Sequence, residues 1–74
     1  MTYQLKVESM DQWAKLYEAL CYYGVDLRDV GFNKEAAKIL LYPPIVEINL
    51  EDVNLDVETF FKIVDYTECE HKPV

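Results

Sequence analysis

The chain has 74 residues, 51% of them hydrophobic and ten of them aromatic, with a net charge of −7. That size admits one domain burying about 60% of the surface its unfolded form exposes, and the aromatic and aliphatic load excludes an intrinsically disordered chain. No apolar run approaches the roughly 20 residues that cross a bilayer, and seven bases scattered among fourteen acids exclude the basic stripe of a direct nucleic-acid binder.

Residues 2–8 alternate, with Tyr3, Leu5 and Val7 on one face and Gln4, Lys6 and Glu8 on the other. This is the pattern of a half-buried strand. Ser9 then reads as an N-cap, with Gln12 three residues on to complete a capping box. Trp13, Leu16, Tyr17 and Leu20 follow at i, i+3, i+4 and i+7, which predicts an amphipathic helix stopped by Gly24. At about 100° per residue, Asp11, Lys15, Glu18 and Tyr22 gather on its other side, Tyr22 almost opposite Trp13. Residues 25–32 read as a loop with one helical turn, broken at Gly31.

Asn33 is a good cap for a short second helix over 34–42, ended by Pro43-Pro44. The competing reading is a strand over 38–42. Residues 45–51 alternate again, with Val46, Ile48 and Leu50 against Glu47, Asn49 and Glu51, and predict a second strand. After a turn capped by Asn54 or Asp56, Val57, Phe60, Phe61 and Val64 repeat at helical spacing and predict a last helix to about Tyr66. Asp56 and Glu58 in its first turn suit the positive end of the helix dipole. Residues 67–74 read as a polar, flexible tail. The expected fold is thus α+β, one domain over residues 1–74. Its order is β-α-(α or β)-β-α, with helices on one face of a two- or three-stranded sheet. A missing strand is expected from residues 38–42 or from a second copy of the chain.

Nothing in the sequence assembles a catalytic centre, and no enzymatic activity is expected. The one serine, Ser9, is committed to capping, and the one histidine, His71, falls in the tail with Cys69. Neither a zinc spacing nor a calcium loop is present, and Gly24 and Gly31 match no phosphate-binding fingerprint. No cofactor and no metal site is expected. Cys21 and Cys69 read as free thiols of a reducing compartment. The N-terminus has no signal layout and acidity disfavours anionic lipid. A cytoplasmic location is expected, the host cytoplasm for a phage-encoded chain.

What stands out is charge. Glu47, Glu51, Asp52, Asp56, Glu58, Asp65, Glu68 and Glu70 lie in one segment with Lys62 as the only base among them, whereas residues 1–46 hold six acids against five bases. Such a segment attracts cationic surfaces. Glu47 and Glu51 are expected on one strand face, continued through the turn by Asp52, Asp56 and Glu58, so that a row of carboxylates imitates a phosphate backbone. Tyr22 and Tyr66, both pointing away from their helices' apolar stripes, are candidate aromatic anchors for the same partner.

Two short stretches carry a family resemblance. Tyr22-Tyr23-Gly24 followed by Asp26-Leu27, and Tyr42-Pro43 running into an alternating strand, resemble the barstar-type ribonuclease inhibitors, which are small acidic α/β proteins. That resemblance implies Asp26 and Asp29 as inhibitory acids. The family's second helix has no clear match, and its final strand is not evident in the sequence. In size, charge and aromatic content the chain also resembles the small acidic inhibitors that phages make, including anti-CRISPR proteins. The leading expectation is a non-enzymatic inhibitor that occupies the basic, nucleic-acid-binding site of a partner protein. The alternative is a structural or assembly role, as a homodimer or an accessory subunit.

Overall fold

The computed structural model describes residues 1–74 as one α+β unit. Its elements are β1 (Thr2–Lys6), α1 (Met10–Tyr22), a 3-10 turn (Leu27–Asp29), β2 (Gly31–Phe32), α2 (Lys34–Leu40), β3 (Ile45–Asn49), α3 (Val57–Thr67) and β4 (Glu70–Pro73). The four strands form one antiparallel sheet in the order β2-β3-β1-β4. Tyr3, Leu5, Val46 and Ile48 point to its covered face and are buried beneath α1 and α3 with Leu16, Leu20, Phe60 and Ile63. Phe60 stacks on Tyr3 at 4.5 Å between ring centroids. Removing such a buried ring costs roughly 3–5 kcal/mol, comparable with the whole stability of a domain this small.

The helix termini form as their sequences dictate. Ser9 Oγ accepts from the Gln12 N–H at 3.2 Å, and Gln12 Oε1 accepts from the Glu8 N–H at 2.8 Å, one residue earlier than a standard box. Gly24, at φ +75°, closes α1. The Val25 N–H reaches the Leu20 carbonyl and the Gly24 N–H reaches that of Cys21, both bonds of a Schellman motif. Asn33 Oδ1 caps α2 through the Glu35 and Ala36 N–H groups, and Asp56 Oδ1, rather than Asn54, caps α3 through that of Thr59.

Four expectations are corrected. Residues 67–74 are not a loose tail. Thr67 and Cys69 are buried, and the Thr67 hydroxyl donates to the Ile63 carbonyl at 2.9 Å, which satisfies its polar atom in the core. Residues 70–73 then add β4 to the free side of β1. The sheet accordingly has four strands, and its extra ones are β2 and β4. Residues 38–42 supply none, since 34–40 are helical. Finally, the buried stripes are rotated from the predicted ones. Ala19 is buried where Tyr17 is exposed, and Ile63 and Thr67 are buried where Val57 and Phe61 meet solvent. α1 and α3 lie side by side, and each turns its small or flanking residues to the other as well as its apolar stripe to the sheet. The second strand also stops at Asn49, which leaves Leu50 buried in a turn and Glu51 off the strand.

A chain ending at Glu68 is expected to lose its cooperative thermal transition in far-UV circular dichroism, because β4 and the buried Cys69 go with it. An unchanged melting temperature would restore the tail reading.

Candidate functional site

The acidic segment crosses a strand, a turn, a whole helix and another strand, and its side chains are spread accordingly. Glu47 stands on the uncovered face of the sheet, where Gln4 Nε2 donates to its Oε1 at 3.2 Å. Glu51 lies in the following turn, 3.5 Å from the Met1 ammonium, with Asp52 beside it. Asp56 caps α3, and the hydrogen bonds from Thr59 hold its carboxyl below the usual carboxylate range. Glu58 and Asp65, seven residues apart, share the outer side of α3. Glu68 ends that helix in the left-handed region at φ 57°, where its carbonyl accepts from Gln12 Nε2 at 3.3 Å. Glu70 returns to the uncovered sheet face, opposite Lys6. Glu51, Asp52, Asp56 and Glu58 thus group at the start of α3 and Glu68 lies at its far end. Glu47 and Glu51 do not share a strand face, so no continuous row of carboxylates runs through the segment.

The two candidate tyrosines, by contrast, line the same groove. The Gln12–Glu68 contact places the start of α1 beside the end of α3, so the helices run antiparallel and the last turn of α1 lies beside the first turns of α3. Tyr22 and Tyr66 line one open groove of about 280 Å³ between them, with Tyr23, Glu18 and Lys62. Ala19 forms its floor. A methyl group at that position leaves the hollow that a larger side chain would fill. Tyr22 is 82% exposed and lies edge-on to Tyr23 at 5.0 Å. Tyr66, 48% exposed, donates its hydroxyl to Glu18 Oε1 at 3.1 Å. That hydrogen bond, and then the charge of Glu18, raise the Tyr66 phenol above its ordinary pKa. Tyr23, Glu18 and Lys62 were not among the expected residues. The available clue was Ala19, a small residue on the flank of α1 nearest Tyr22.

Charge is divided unevenly between the two sides of the molecule. The uncovered sheet face carries Lys6, Lys72, Glu47 and Glu70, and α2 carries Lys34, Lys38 and Glu35. Together these hold four of the seven bases and three of the fourteen acids, a sum of +1. The helix layer and the loops keep three bases and eleven acids, a sum of −8. The tyrosine groove opens on that acidic side. Its lining offers apolar walls, phenol groups, one carboxylate (Glu18) and one ammonium (Lys62), which suit an amphipathic side chain from another protein.

The remaining reactive groups lie apart. Cys21 is exposed on α1 while Cys69 is buried, and burial pushes its thiol up in pKa. His71 faces Phe61 from β4 at 5.3 Å between rings. No three histidine, cysteine or carboxylate side chains converge as metal ligands would. Asp26 is occupied within the chain. Hydrogen bonds from Arg28, the shortest 2.7 Å, hold its carboxyl down to about 2. No protein-family model matches this chain, and no curated protein or solved structure matches it significantly.

In the native protein a thiol reagent at neutral pH is expected to titrate Cys21 alone, with Cys69 reacting only after unfolding. Rapid reaction of both thiols would place Cys69 in a frayed end.

Proposed function

We propose that the protein is a non-enzymatic binding module that engages a partner protein through the outer face of its helix layer. The observation that carries this reading is that Tyr22 and Tyr66, from helices far apart in sequence, line one open groove. Exposed tyrosines are effective anchors because they bury a large rigid area and lose little side-chain entropy. The −8 balance of the helix layer and loops taken together favours a partner with a basic surface, of the kind found on proteins that process nucleic acid. Steering comes from the field of the whole acidic side rather than from an ordered row of phosphate mimics. Occupying such a surface keeps nucleic acid from it, which is inhibition of the type expected of a phage-type anti-defence protein.

Affinity capture from the native cell, followed by binding measurements on the captured protein, tests this. The expected partner is basic. Tyr22→Ala and Tyr66→Ala are each expected to weaken the complex roughly tenfold, chiefly through faster dissociation. Glu58→Lys with Asp65→Lys is expected to slow association and flatten its salt dependence. A complex unaffected by the tyrosine substitutions and indifferent to salt would refute the assignment.

A further inference from the structure

The side of the sheet away from α1 and α3 is covered by no helix. Its central row runs Glu47, Gln4, Lys72 across β3, β1 and β4, and the next row runs Ile45, Lys6, Glu70. Ile45 is 47% exposed. It stands as a ridge between two hollows, one of about 510 Å³ toward α2 and one of about 340 Å³ between β1 and β4. In the adjoining helix and its exit, Ile39 is 80% exposed and Leu41 70% exposed. The four charges of the sheet face cancel, yet none of them takes part in either ion pair of the chain.

We infer that this face is a dimer interface between two copies of the chain, related by a two-fold axis running along β1. Such an axis lays each copy's β3 over the other's β4. Glu47 then meets the second copy's Lys72, twice by symmetry, and Gln4 meets Gln4. The Ile45 ridge of each copy stands over the other's hollow between β1 and β4, an isologous fit of ridge into hollow. Lys6 lies near the axis and meets its own copy, but between the two Glu70 carboxylates. Electrostatics selects the same face. Two chains of charge −7 repel each other, and the sheet face with α2, at +1, is the side on which they approach without opposing carboxylate clusters. The acidic sides then point outward. The smallest dimension of the molecule is 20 Å, more than twice the screening length of about 8 Å at physiological salt, so their mutual repulsion is largely screened.

The sheet edges do not compete with this face. The Val74 N–H bonds the Thr2 carbonyl. By alternation Lys72 and Glu70 also direct their N–H groups to β1, which leaves His71 and Pro73 at the free edge. Proline has no N–H to offer there, so β4 is a blunted edge, and β2 has only two residues.

Four short strands span roughly 15 by 17 Å, about 500 Å² over both copies and well below the standard interface size, so the dimer is expected to be weak, with a dissociation constant of about a hundred micromolar. Sedimentation equilibrium of the full chain from ~5 to ~500 µM tests it. A single monomer–dimer equilibrium with no larger species is expected. Ile45→Asp is expected to weaken the dimer at least roughly tenfold. Glu47→Lys is expected to weaken it too, and adding Lys72→Glu to Glu47→Lys is expected to restore it, since the reversed pair meets again across the axis. A monomer at the highest concentration would overturn the inference. So would an open-ended, salt-sensitive series of assemblies, the mark of acidic side meeting basic side, or a dimer indifferent to both substitutions. The tyrosine groove lies on the opposite side, so none of these outcomes bears on partner capture.

Discussion

The two larger of the sheet's three pairings run through the five residues Thr2–Lys6. The backbone of β1 alternates its hydrogen bonds, with odd-numbered residues turned to β3 and even-numbered ones to β4. Bonds at Met1–Leu50 and Val7–Pro44 extend the first ladder, and one at Thr2–Val74 ends the second. The same alternation sends Tyr3 and Leu5 into the core and Gln4 and Lys6 to the open face. One short strand therefore fixes the register of the C-terminus, the orientation of the hydrophobic face and the order of charges on the polar one. A slip of one residue would exchange the two faces at once. The Tyr3–Phe60 stack and the burial of Leu5 make that slip costly, because they tie the register to the helix layer.

Elements that bury a face were legible in the sequence from their spacing, and α2, which buries no residue, from its Asn33 cap; the two edge strands were not legible. The strands β1 and β3 showed period-two alternation, and α1 and α3 showed caps and apolar spacing. β4 reads Glu-His-Lys-Pro with every residue exposed. An edge strand held by backbone bonds alone leaves no hydrophobic pattern to read. Its anchor is two buried residues just before it, Thr67 and Cys69, neither of which stands out by type. β2 is too short for any periodicity. The buried stripes of both helices were misplaced in the same way, because spacing locates an apolar arc but not the neighbour that widens it. Here each helix packs on the sheet and on the other helix, so Ala19 and Ile63 are drawn inside while Tyr17 and Phe61 are left toward solvent.

The candidate site divides along the same line. The outward phase of Tyr22 and Tyr66 followed from helical geometry, whereas their meeting depended on the antiparallel packing of α1 and α3, which no local pattern encodes. Crowding of acids in sequence did not become crowding in space. An eleven-residue helix is roughly 16 Å long, so carboxylates before its first turn and after its last sit at opposite ends of the domain. The charge asymmetry that does exist is between layers. It comes as much from Lys6, Lys34, Lys38 and Lys72 collecting on the sheet and α2 side as from the acids collecting elsewhere.

That division has a consequence for how such a small protein could work. The tyrosine groove and the open sheet face are on opposite sides of one sheet, so neither use excludes the other. A two-fold dimer through the sheet face turns both grooves outward, away from each other and away from the axis. Each groove can then engage a partner molecule independently, and on a partner that is itself repeated, the second engagement becomes intramolecular. Its effective concentration is set by the rigid spacing of the two grooves rather than by a linker, which raises avidity without any new contact. Because the acidic sides point outward and lie more than a screening length apart, each groove of the dimer keeps its own steering field for a basic partner, and the aromatic anchors stay free. On the proposed function, self-association through the sheet face therefore strengthens binding to a repeated partner.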